Sequence, residues 1–386
     1  MLNHNTLFYN VMKFAHDGRI SFHDIRIYQT FVWAIVGFIQ SKRPHFSHWL
    51  PFRRGKAKGS SKERQFSRWL HNEKIRPMLI YQPFVKRILA DWCGETAYFA
   101  LDTSLLWNKF VITRLALVYN GRAIPVGWVV FAGESATVAV VTYQRMLAQV
   151  AAQIPVTTTV VLLADRGFGH INLMKIIKQL GWNFRIRLKS NMWVYLENGT
   201  CHQIRTLVPE LGKGHCYDRV RITKRRYGHL YLAIAHVITP NGSEKWAIIS
   251  DEPVGRQTFD EYGLRFDIEE NFLDDKSAGF NLEDTLLRDS MSISRLCLII
   301  AVSTAYLVST GNVVDLLGFR PVVDTHWRRG LSYLQIGWRW SQHAIANQKW
   351  LHNFVWLPPN PDLEPAIASW KQFYQPMFEL HSLEWL

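Results

Sequence analysis

Two short apolar runs that each close on an aspartate constrain this chain most. AYFALD at 97–102 ends in Asp102, and TTTVVLLAD at 157–165, a β-branched run of the kind buried inside a sheet, ends in Asp165. Between them KFVITRLALVYNGRAIPVGWVV reads as two extended segments around the hairpin signal Asn120-Gly121, followed by helical periodicity over 136–152. After them HINLMKIIKQLG reads as a helix stopped by Gly181, and WNFRIRLKS as a further strand. Strand, hairpin, helix, strand, helix, strand is the order of a mixed α/β sheet with helices against it. Adjacent strand ends bring their residues within a few ångströms of one another, and crevices open there. An unpaired buried carboxylate costs several kcal/mol, so the repeat of an aspartate at both places implies a compensating cation. Use of the same aspartates as helix caps or turn residues is the plainer alternative.

The remaining chain divides by pattern. Residues 1–92 read as short helices around a basic, Gly/Ser-punctuated segment, and 93–190 as the first part of the α/β core. Residues 191–250 read as a β-rich insertion joined by Gly, Asn and Pro turns, and 251–318 as the second part of the core, with one helix over about 256–277 and an apolar helix to about 310. The apolar stretch LCLIIAVSTAYLVST is too short and too rich in Ser and Thr to span a bilayer, and no secretory-signal layout opens the chain. Residues 319–386 are aromatic, with seven of the 16 tryptophans, and predict a helical tail that buries them.

Charge is unevenly spread. Of a net +14, residues 41–90 contribute +11 through 13 Lys and Arg against Glu63 and Glu73. Arg53, Arg54, Lys56, Lys58, Arg64 and Arg68 in this block suit a polyanion. The Gly59-Ser60-Ser61 signal could cap a helix in a helix-turn-helix-like arrangement, and a solvated charged loop is the alternative. The four cysteines lack CxxC spacing and suggest free thiols in a reducing compartment. The pairs Cys201-His202 and His215-Cys216 invite zinc, but adjacent strand residues point to opposite faces, which disfavours it.

The stretch YGLRFDIEENFLDDKSAGF at 262–280 completes the set. On an ideal helix with Tyr262 at zero, Arg265 falls at roughly 300°, Glu269 at roughly 340° and Lys276 at roughly 320°, one stripe holding a carboxylate between two cations. Asp267, Glu270 and Asp274 take the solvated side. The stripe alone fits an ion-paired surface equally well. Asp102, Asp165 and Glu269 together form an all-oxygen donor set suited to Mg²⁺ or Mn²⁺, in a two-ion arrangement able to activate an attacking oxygen and stabilise a leaving one at a phosphodiester.

At these residues the chain resembles the DDE transposases of bacterial insertion sequences that carry a Tyr-x2-Arg-x3-Glu-x6-Lys signature. Tyr262, Arg265, Glu269 and Lys276 match its spacings, with Asp102 in ALDTS and Asp165 in ADRGF ahead of it in the expected order. The resemblance covers roughly residues 95–310, while the flanks match no motif residue by residue. It implies a ribonuclease H-like core with a β-strand insertion and catalytic, metal-holding Asp102, Asp165 and Glu269 with Mg²⁺ (or Mn²⁺), two ions in all. It also implies cut-and-paste movement of DNA, in which water nicks the element end and the freed 3′-hydroxyl is joined to DNA. Tyr262, Arg265 and Lys276 would then contact phosphate, and Trp246 would stack on a flipped base unless it is a core residue. Arg166 and His170 would touch DNA unless they serve as caps or surface. The partners implied are double-stranded DNA, as inverted-repeat ends and target, and a second copy of the chain in a synapsed homodimer, in a bacterial, nucleoid-associated cytoplasmic setting without a membrane. A nuclease of the same fold that does not join DNA, and a non-catalytic DNA-binding descendant, are the competing functions.

Overall fold

The computed structural model describes residues 3–135, 138–239, 242–268, 281–349, 351, 354–359 and 378–386. Two compact units share the chain: residues 1–95, 103–158 and 268–368 form the first, and 96–102, 159–267 and 369–386 the second.

In the first unit helices α1 (Asn3–Asp17), α2 (Ile25–Ser41), α3 (Gly59–Leu70) and α4 (Pro77–Ile88) precede strand β1 (Thr96–Leu106), which begins in the second unit and ends in the first. The Asp24 carboxylate caps α2 by accepting from the Arg26 amide at 2.8 Å. The Gly59-Ser60-Ser61 signal does not cap α3. These residues form its first turn, the cap position falls on Lys58, and no side chain bonds the orphan amides. Strands β2 (Phe110–Tyr119) and β3 (Arg122–Ala132) pair antiparallel around Asn120 and Gly121, whose φ angles of 49° and 73° give the primed turn that such a hairpin needs. Helix α5 (Val140–Ala151) follows.

The apolar helix α8 (Ser290–Leu316) is capped by Asp289, which accepts from the Ser292 amide at 2.7 Å. It continues past the expected end at about 310 because its C-terminal half packs backbone to backbone on α9 (Tyr333–Ala346). A Cβ at Gly311 would lie 1.9 Å from the Tyr333 carbonyl oxygen, and one at Gly337 would lie 1.9 Å from that of Leu307. Only glycine allows this approach. Long and apolar enough to cross a membrane, α8 is buried along nearly all its length within the fold.

In the second unit the start of β1 pairs parallel with β4 (Thr159–Ala164), and β4 pairs parallel with β5 (Asn183–Arg187). The strands β6 (Trp193–Tyr195), β7 (Cys201–Gln203), β8 (Lys213–Ile222), β9 (Tyr227–Thr239) and β10 (Gly242–Ser250) supply the β-rich stretch. They continue the same sheet, since β10 hydrogen-bonds antiparallel to β5 and β9 to β10. Helices α6 (Ile171–Gln179) and α7 (Arg256–Gly263) belong to this unit. The result is a mixed α/β fold with a large mixed sheet flanked by helices, consistent with a ribonuclease H-like core.

Two further expectations change. Within the region expected to be a helical tail, α9 is a helix that buries Trp338 and Trp340, whereas Ser382–Trp385 form a strand, β11, which pairs parallel with β8 over 213–216, a stretch of edge that β6 leaves uncovered because it pairs only at 221–222. The expected helix over 256–277 is also interrupted. Helix α7 ends at Gly263, and Leu264, Arg265 and Asp267 bond back three residues to Glu261, Tyr262 and Leu264 at 3.2, 3.0 and 3.2 Å. Tightening to this 3₁₀ pattern eclipses residues three apart, so Arg265 stands over Tyr262 instead of about 60° away.

Candidate active site

Parallel register builds the site. Leu101 pairs with Ala164, and Ala164 with Ile186, so the next residue on each of β1, β4 and β5 is Asp102, Asp165 and Arg187. Side chains in one row of a parallel sheet share a face, with neighbouring strands about 4.8 Å apart. The two aspartates therefore stand side by side. Asp102 lies within β1 rather than at its end, at the point where pairing with β4 stops, whereas Asp165 directly follows β4 with an extended ψ of 171°.

Helix α7 covers the same face. Glu261 fixes it there by accepting from the Arg185 Nε at 2.7 Å and from the Tyr98 hydroxyl at 3.1 Å, while Arg185 also donates to Glu252 at 2.9 Å. On the same face, Arg185 lies two residues and Tyr98 four residues below the aspartate row, and Tyr262 and Arg265 follow Glu261 at the end of α7. Arg265 is buried and places Nη1 3.7 Å from Asp102 Oδ2, with its guanidinium 4.7 Å from the Phe266 ring centre. Tyr262 is fully buried, and its hydroxyl has no partner of hydrogen-bond geometry among the described residues. Burial pushes its phenol pKa up, with smaller opposing effects from the nearby charges, and the Arg265 guanidinium lies 5.6 Å over its ring.

Arg187 was not singled out in the sequence. The alternation in NFRIR that puts Arg185 and Arg187 on one face was its available signal. Its guanidinium reaches Glu244 Oε2 at 3.4 Å and the Lys245 carbonyl at 3.0 Å. The same Glu244 oxygen accepts from Trp246 Nε1 at 2.9 Å. Trp246 is 1% exposed and packs on Tyr262, Phe266 and Phe378 with ring centres 5.5, 6.1 and 5.0 Å away. Of the two readings of this tryptophan, the structure places it in the core.

The other expected residues separate clearly. Arg166 is exposed immediately after Asp165. His170 caps α6, its Nδ1 accepting from the Leu173 amide at 3.3 Å, and burial lowers its pKa. Glu269 and Lys276 lie outside the described residues. In the first unit Arg54, Lys56, Lys58, Arg64 and Arg68 are exposed, while Arg53 is half-buried. Arg53 lies 5.8 Å over the Phe66 ring, and burial lowers its pKa.

Two adjacent carboxylates with only oxygen donors fit a hard divalent cation that keeps waters or substrate oxygens in its remaining positions. Among the described residues no group of three His, Cys, Asp or Glu gathers into a metal cluster. The buried Arg265 supplies the positive charge beside Asp102.

Residues 108–324, more than half of the chain, match the family model described as the transposase DDE domain; the match begins just beyond Asp102 and takes in Asp165, Tyr262 and Arg265. No curated protein matches the chain. Among solved structures, a piggyBac transposase synaptic complex with hairpin DNA is similar over 89% of this chain and 78% of that one, at 11% identity and a TM-score of 0.41.

Proposed function

The chain belongs to the transposase DDE domain family, and on that premise we propose that it cleaves the ends of a DNA element and joins the freed 3′-hydroxyl to new DNA. The observation that carries this reading is that Asp102 and Asp165 directly follow the last paired row of β1 and β4, with Arg265 beside Asp102. Asp102 and Asp165, joined by Glu269, would hold Mg²⁺ or Mn²⁺, two ions in all. Bound there, the cations would polarise the phosphodiester and lower the pKa of water.

The chain's own residues do the rest. Arg265 is positioned to shift from Asp102 to a phosphate oxygen, because a guanidinium binds either oxyanion in the same forked geometry. Tyr262 offers a buried hydroxyl beside the aspartates, and Lys276 supplies a further point charge for the backbone next to the cut. In the first step water adds to phosphorus as the P–O3′ bond breaks, leaving a 3′-hydroxyl. In the second, that hydroxyl adds to another phosphorus as a second P–O3′ bond breaks, so one phosphodiester replaces another. Both strands of duplex DNA are the substrate, and a second copy of the chain would bring two ends together.

The test uses labelled element-end DNA and Mg²⁺. Asp102→Asn, Asp165→Asn and Glu269→Gln should each abolish nicking while DNA binding persists; substantial nicking by any of them removes that residue from the site. Joined product from the wild-type protein separates a transposase from a nuclease, and cleavage with no joining under any condition would favour the nuclease.

A further inference from the structure

Far from the aspartates, the end of β8 and the turn that joins it to β9 carry Arg219, Arg221, Lys224, Arg225 and Arg226, five cations in eight residues, all exposed. Like charges so close repel one another unless an anion is shared among them. Carboxylates settle only part of this. Arg219 donates to Glu197 at 2.9 Å, whereas Arg221 and Arg226 have no carboxylate partner among the described residues. Arg221 Nη2 meets His229 Nε2 at 3.2 Å. Arg226 stacks 4.8 Å over the Tyr195 ring.

These side chains converge on a cavity of about 280 Å³ lined by Tyr195, Glu197, Arg219, Arg221, Arg226 and His229. The backbone is bent to make it. Register shifts between Tyr217 and Val220 and between Val220 and Ile222 mark bulges in β8, and Arg219 and Arg226 adopt left-handed φ angles of 51° and 49°. Each left-handed non-glycine residue costs on the order of 1 kcal/mol, and bulges re-aim side chains. On the flank, Lys175 of α6 lies 5.9 Å over the Tyr227 ring.

We propose that this hairpin end is a second binding site for the phosphate backbone of duplex DNA, distinct from the basic block at 41–90. It rests on the reading that DNA is the substrate. Guanidinium forks bind phosphate oxygens in pairs, and a cavity lined by three of them accommodates a phosphodiester group. Register sets it apart from the cut. Arg187 pairs with Ile248 and Ile248 with Ala233, so Tyr227 is six residues back along β9, toward the end at which β5 begins. That is about 20 Å along the strands and about 14 Å across them from Asp165. A phosphate gripped at the hairpin is therefore not the one being cut.

The experiment measures binding of full-length protein to two duplexes of equal length, one from the element end and one unrelated, by fluorescence anisotropy from 50 to 200 mM NaCl. Each phosphate contact contributes about 0.9 to the salt slope, so Arg221→Ala/Arg226→Ala should lose about two such units, and wild-type affinity should fall about 12-fold more than the variant's over this range. Loss on both duplexes places the hairpin on DNA at large, and loss on the element end alone places it on the end complex. An unchanged slope on both overturns the proposal. Lys224→Ala/Arg225→Ala, whose side chains make no ion pair or ring contact among the described residues, should shift the slope in the same direction and decides the matter if the first variant melts early. Wild-type protein that binds neither duplex would instead overturn the DNA reading itself.

Discussion

Breaking the Arg265–Asp102 contact tests whether the buried guanidinium compensates the aspartate pair. At 3.7 Å the Coulomb attraction is about 4.5 kcal/mol for an effective dielectric of 20. Asp102 keeps a fifth of its side chain exposed, and both groups lost water on burial, so the coupling left in a double-mutant cycle should be about 2 kcal/mol. Arg265→Met alone should cost about 3 kcal/mol, because it removes the buried guanidinium that sits beside the Asp102 carboxylate. Asp102→Asn should cost less, since it also relieves the repulsion with Asp165. The assay is urea unfolding of wild type, both single variants and the double variant in chelator at neutral pH, followed by tryptophan fluorescence. Saturating Mg²⁺ should then stabilise Arg265→Met more than wild type, because a cation at the pair replaces the missing charge. A coupling under about 0.5 kcal/mol, within the additivity of unrelated sites, would refute the argument. So would equal stabilisation of both proteins by Mg²⁺.

Other outcomes follow from the same geometry. Deleting residues 1–92 is not a clean test of DNA binding, because buried Arg295 donates to the carbonyls of Leu70 and Ile75 and the Tyr81 hydroxyl to that of Pro125. The combined Lys56→Ala, Lys58→Ala, Arg64→Ala and Arg68→Ala variant should instead keep its melting temperature and lose up to about 3.6 units of salt slope on element-end DNA; an unchanged slope would place recognition elsewhere. Trp246→Ala should destabilise by about 3–5 kcal/mol, as for other buried tryptophans, measured by urea unfolding, and a loss below about 1 kcal/mol would show that the ring is not a core element. Burial depresses the His170 pKa below its unfolded value, so its contribution to stability is present above about pH 6.5 and declines as pH falls toward the folded value. His170→Gln should therefore flatten the loss of stability between neutral and mildly acidic pH, and an unchanged pH profile would rule the imidazole out as its source.

The sequence by itself determined the elements that local pattern specifies. Alternation and β-branched runs set β2, β3, β4 and β5, Asn120-Gly121 set the hairpin between β2 and β3, and AYFALD and TTTVVLLAD put one aspartate within β1 and another directly after β4, two strands that the structure pairs. Spacing also singled out Tyr262 and Arg265 as a pair, although the 3₁₀ turn at 264–265 aligns them more closely than an ideal helix would. Only the tertiary structure decided what depends on partners distant in sequence. Trp246 became a core residue because Tyr262, Phe266 and Phe378 close around it, and Arg187 joined the aspartate row because β5 pairs with β4 in one particular register. The chain's end became a strand because β8 had an uncovered edge to satisfy. Propensity and periodicity describe a residue's neighbours within about one turn or pleat, whereas register, edge satisfaction and burial are set by backbone groups and apolar surfaces tens or hundreds of residues away.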